Sequence, residues 1–113
     1  MQNMAYKVII MSPAKRRLDM YIGYTAIQLK NRQAAKNIRD DAKTTKAQLS
    51  DMADVLKLCD NPVLAEHGYR KIHFGKHDFI MIYRIDGNKA IVDGMYHELQ
   101  DYEATFIDEM HLM

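Results

Sequence analysis

Hydrophobic and polar positions along this chain follow three patterns in turn: a continuous apolar run, two helical stripes, and a strict alternation. Tyr6 to Met11 is apolar on both parities apart from Lys7, the pattern of a strand covered on both sides. Ser12-Pro13 predicts a helix start, with serine as N-cap and proline in the first turn, where its missing N–H costs nothing. Leu18, Tyr21, Ile22, Thr25 and Leu29 then share one face, with Lys15, Arg16, Arg17 and Lys30 largely elsewhere, so the helix is expected to end near Lys30-Asn31. A second stripe of Ala35, Ile38, Ala42, Thr45, Leu49, Met52, Leu56 and Cys59 predicts a longer helix over 33–59. Its heptad spacing would also suit a dimeric coiled coil, but a short seam containing Ala and Thr favours a helical hairpin packed on a sheet. Asn61-Pro62 stops the helix, because proline cannot continue the hydrogen-bond ladder.

Alternation begins at Tyr69. Over 69–74, Ile72 and Phe74 fall on one face and Lys71 and His73 on the other. Gly75-Lys76-His77 turns into a strand over 78–85, and Asp86-Gly87-Asn88 turns again into a strand over 89–97. With Gly87-Asn88 as a two-residue loop, Phe79 is expected opposite Tyr96 and Asp78 opposite His97; Asp86-Gly87 would serve nearly as well. The remainder, with Leu99, Tyr102, Phe106 and Met110 among polar residues, suits a short surface helix or a tail. The order predicts an α+β fold: one domain over 1–113, a sheet of about four strands, helices on one face, and the other face open for function.

Composition narrows the function. A chain of 113 residues supports a single core, and a formal charge of +1 is not that of a strongly basic nucleic-acid binder. Cys59 is the only cysteine, which excludes an intramolecular disulfide or a cysteine-built zinc site within one chain and suits a reducing cytosol. The apolar run near the N-terminus is too short for a signal-peptide core or a membrane span, so a cytoplasmic protein is expected. His73 and His77 are four apart, but Gly75 and the strand pattern remove the helix that would bring them onto one metal, and no metal or cofactor is expected.

The element order, Gly68-Tyr69-Arg70 before the second strand, Ile80-Met81-Ile82-Tyr83-Arg84-Ile85-Asp86 in the third, and His97 followed by Asp101-Tyr102-Glu103 resemble the RelE/ParE superfamily of bacterial type II toxins, whose fold is microbial-ribonuclease-like. Gly68-Tyr69-Arg70-x-x-His73, Asp78-Phe79 and the final His97 are most similar to the YafQ-type messenger-RNA interferases. The resemblance implies a toxin neutralised by a cognate antitoxin, acting on messenger RNA at the ribosome or, in the ParE branch, inhibiting DNA gyrase. On the nuclease reading, His73, Asp78 and His97 form the acid/base set that removes the 2′-OH proton and protonates the leaving oxygen, while Arg70, Lys71 and Arg84 hold the phosphate. Two positions depart from the nuclease patterns: Ile80 stands where RelE-type enzymes carry an arginine, and Asp93 where the YafQ-like pattern carries one. The Asp101-Tyr102-Glu103 segment also occurs in ParE-like members. A gyrase inhibitor, or an inactive homologue that still binds its antitoxin, is the alternative.

Overall fold

A computed structural model describes residues 5–112. The order is β1 (Lys7–Ile10), α1 (Ser12–Gly23), a π-helical turn (Tyr24–Gln28), α2 (Arg32–Met52), α3 (Pro62–Glu66), β2 (Arg70–His73), β3 (Phe79–Asp86), β4 (Lys89–His97) and α4 (Tyr102–Met110). The strands form one sheet in the order β1-β4-β3-β2, with β1 parallel to β4 and the other pairs antiparallel.

The expected α+β fold and four-stranded sheet are present, with several local differences. Met11, not Ser12, is the cap of α1, and no side chain bonds the helix start. The stripe expected to run as one helix through Cys59 stops at Met52. The hydroxyl of Tyr83 donates to the Ala53 carbonyl at 2.6 Å, and the Arg70 guanidinium donates to the Leu56 carbonyl, so strand side chains take up these two carbonyls. Cys59 N–H then donates to the Tyr69 carbonyl at 2.9 Å, and the segment runs alongside β2.

Both sheet faces are covered. Helices α1 and α2 pack Ala14, Ile22, Ile38, Ala42 and Leu49 onto Ile72, Phe79, Met81, Tyr83, Val92 and Met95. The face expected to be open carries a second cluster: Ile80, Ile82 and Tyr96 lie under Phe106 and Ile107 of α4, with Cys59, Leu64 and Tyr69 beside them. The tail is thus a helix with an inward face. It fits because Gly94 has no side chain, and the rings of Phe106 and Tyr96 occupy the space a Cβ would need.

Gly87-Asn88 is the two-residue loop, with Asp86 opposite Lys89. The pairing nevertheless shifts by one between Ile82 and Tyr83: Tyr83 faces Val92 and Ile82 faces Gly94, leaving Asp93 as the extra residue of a β-bulge. The expected pairs Phe79–Tyr96 and Asp78–His97 are therefore replaced by Phe79–His97 and Ile80–Tyr96.

Candidate functional site

Three of the six residues singled out in the sequence lie at one end of the sheet. His73 ends β2, Asp78 precedes β3 and His97 ends β4. The bulge decides which way they face. His73 pairs with Ile80, on the α4 face, whereas His97 pairs with Phe79, on the α1–α2 face, because paired residues in a sheet share a side. The two imidazoles thus flank the sheet end from opposite faces.

Each has its own partners. His97 meets the Phe79 ring edge-on at 5.2 Å between centroids, and its Nδ1 accepts the Leu99 N–H at 3.1 Å, which leaves any proton of the neutral ring on Nε2. Phe79 in turn packs on Tyr21 of α1, whose hydroxyl donates to Gln100. His73 Nδ1 lies 3.5 Å from Glu98 Oε1 with both side chains about half exposed. Asp78 is exposed, and its carbonyl accepts the Glu98 N–H at 2.7 Å.

The cations are dispersed as well. Lys71 stays on the same face as His73, two residues along β2, and donates to the Tyr102 hydroxyl at 2.9 Å. Partial burial pulls its pKa down, but the Tyr102 bond and the Tyr102 and Glu103 charges outweigh that, and the net direction is up. Arg70 points to the opposite face and is engaged by the Leu56 carbonyl. Arg84 lies four residues beyond Ile80 on β3, roughly 13 Å along the strand. Its Nε donates to Asp93 Oδ2 at 2.8 Å, a bond that raises the arginine's pKa further.

Asp93 is buried, and it also accepts the Tyr69 hydroxyl at 3.0 Å. Burial first, and the Asp93 charge second, push the Tyr69 phenol up to about 12. The Asp93 carboxylate of β4, at the position where the YafQ-like pattern has arginine, thus joins Arg84 of β3 to Tyr69, just before β2. Ile80, the other departure, is fully buried under α4.

Two clusters escaped the sequence reading. Asp41, on the buried side of α2, accepts the His77 Nδ1–H at 2.6 Å and the Lys76 N–H at 2.9 Å. It ties the β2–β3 turn to the helix and leaves His77 half-buried. A carboxylate three residues after Ile38 and four before Thr45 was the available signal, since it falls within the apolar stripe. Secondly, Arg17 lies 4.5 Å over the Tyr96 ring and pairs with Glu109, which also accepts the Tyr96 hydroxyl. This closes α1 against α4 and had no local sequence signal.

Among the described residues no group of three His, Cys, Asp or Glu side chains could hold a metal ion, and no helix is long and apolar enough to cross a membrane. No curated protein matches the chain in sequence. Among solved structures it is similar to one described as the chromosomal ParDE TA system from P. aeruginosa, with a TM-score of 0.66 and 16% identity, covering 82% of this chain and 96% of that one. That likeness supports the RelE/ParE fold without the expected closeness to YafQ-type enzymes. In sequence, residues 8–102 match the family described as ParE toxin of type II toxin-antitoxin system, parDE. With a match over most of its length and the fold to go with it, the chain belongs to the ParE toxin family of type II toxin-antitoxin systems.

Proposed function

We propose that this toxin acts by binding and inhibiting DNA gyrase, without cutting RNA, and that a cognate antitoxin neutralises it. The observation that carries the reading is the bulge at Asp93, which turns His97 to the face opposite His73. General acid/base cleavage of one phosphodiester needs both groups within reach of the same bond. Here His97 is packed against Phe79 on the α1–α2 side, while Arg70 and Arg84 are held by Leu56 and Asp93. Membership of the ParE family supports the same reading.

The deciding experiment pairs two assays on one preparation. Gyrase supercoiling is expected to be inhibited by wild type and by His97→Ala alike. In a ribosome reaction programmed with a defined messenger, no new 5′ ends are expected in the A-site codon. A-site ends that appear with wild type and vanish with His97→Ala would overturn the reading and restore His73, Asp78 and His97 as an acid/base set.

A further inference from the structure

A toxin that works by binding needs an energetic anchor on its surface. Of nine exposed large hydrophobic side chains among the described residues, five (Met11, Met20, Tyr24, Ile27 and Leu29) lie on one stretch, α1 with its flanks and the π-helical turn. Met20, Tyr24 and Ile27, exposed by 68%, 57% and 71%, follow one another at steps of four and three. Met20 and Tyr24 are one turn apart and Ile27 follows within the π-helical turn, so the three exposed side chains fall within about 10 Å along the helix axis. Folding does not account for them, because the opposite side of the same helix supplies the core through Ala14, Leu18, Tyr21 and Ile22.

The line connects two concave features. One end borders a cleft of about 340 Å³ between α1 and α4, where Arg16, Met20 and Met110 meet; the other reaches the hairpin tip at Ile27, Lys30 and Arg32. Beneath it Leu29 N–H donates to the Tyr24 carbonyl at 3.2 Å, the wide turn of a π-helix, a geometry found frequently at functional sites. The charge is one-sided: residues 12–32 carry Lys15, Arg16, Arg17, Lys30 and Arg32 against Asp19 alone, in a chain of net charge +1. Lys15 and Arg17 are paired with Asp19 and Glu109, whereas Arg16, Lys30 and Arg32 have no ion pair among the described residues.

We infer that this face of α1 is the grip on the toxin's target, seating an acidic surface of DNA gyrase with Tyr24 and Ile27 as apolar anchors and Arg16, Lys30 and Arg32 as rim. The inference rests on the binding reading proposed above. Exposed Tyr, Met and Arg together have the composition of interface cores and hot spots. A second copy of the chain would oppose like charges, so the complementary occupant is an acidic protein. A bare phosphate backbone would leave the apolar line unused.

The test uses the full chain carrying Tyr24→Ala, Ile27→Asp or, as a control outside α1 and the π-helical turn, Leu99→Ala in the loop before α4. Each is assayed against purified gyrase and for capture of the cognate antitoxin. Tyr24→Ala and Ile27→Asp are expected to need about tenfold or more protein for half-inhibition, as hot-spot truncations do. Circular dichroism, melting and antitoxin capture should stay unchanged, and Leu99→Ala should match wild type. Undiminished inhibition by both variants overturns the inference while leaving gyrase as target. So does unchanged inhibition with lost antitoxin capture, which reassigns the face to the antitoxin, or an equal loss with Leu99→Ala. A folded wild type that leaves gyrase untouched overturns the binding reading itself, and this assignment with it.

Discussion

Replacing Gly94 with alanine places a methyl carbon 2.8 Å from Phe106 Cδ1, 2.8 Å from Tyr96 Cε2 and 3.0 Å from Phe106 Cε1. Non-bonded carbons rest about 3.5–4.0 Å apart, so both rings must retreat by about 0.7 Å or more. Neither has slack. Phe106 is 1% and Tyr96 2% exposed, and the Tyr96 hydroxyl is held by Glu109. Overpacking of this kind costs about 1–3 kcal/mol, or roughly 4 °C of melting temperature for each kcal/mol in a domain of this size. Calorimetric melting of wild type, Gly94→Ala, Phe106→Leu and the double variant closes a thermodynamic cycle. The leucine, lacking the ring, is expected to relieve the alanine, with a coupling of at least about 0.5 kcal/mol. A Gly94→Ala protein that melts with wild type, or two substitutions whose effects simply add, would show that α4 is not seated on β4. The account of the second sheet face as covered would then fail.

Other consequences can be measured on the same protein. Asp41→Ala removes a buried acceptor from His77 and the Lys76 N–H and is expected to destabilise by about 2–3 kcal/mol, with Asp41→Asn milder, in urea titrations. Arg84→Met strands the buried Asp93 carboxylate and should destabilise by about 1–3 kcal/mol; the additional change Asp93→Asn should recover part of that. Burial pushes the Cys59 thiol up to about 11 from an ordinary 9, so the folded state favours the protonated form. Its contribution to stability is complete below pH 9 and lost as pH rises toward 11, and a thiol reagent should label native protein far more slowly than urea-unfolded protein at pH 9.

Much of the fold was legible because single residues declare local geometry. Asn31, where the first helix was expected to end, caps α2 by accepting the Ala34 N–H at 2.9 Å, whereas Asn61, expected to stop a helix that already ends at Met52, instead opens the unforeseen α3 by accepting the Val63 N–H. Periodicity placed Lys71 and His73 together on one face of β2, where they are. It overran at Met52, because Leu56 and Cys59 continue a helical spacing by coincidence while Tyr83 and Arg70, distant in sequence, take up the carbonyls there. The cover on the second face was hard to foresee for a related reason. Leu99, Tyr102, Phe106 and Met110 make a weak stripe, and what turns it inward is the absence of a side chain at Gly94 on another element.

The site was less legible than the fold, and one residue accounts for much of the difference. Alternation assigns faces only while the count along both strands is kept, and an inserted residue inverts everything beyond it. Lys89 to Val92 pair as a loop at Gly87-Asn88 demands; beyond Asp93 the parity reverses, so Tyr96 turns toward α4 and His97 toward Phe79. A charged residue in the middle of a strand was the trace of this in the sequence. Asp93 is tolerated there because it accepts from Arg84 and Tyr69. The same residue that departs from the nuclease pattern therefore also moves His97 away from His73. The two departures at 80 and 93 bear on the same face: Ile80 gives α4 an apolar floor, and beyond Asp93 the parity of β4 is inverted beneath it.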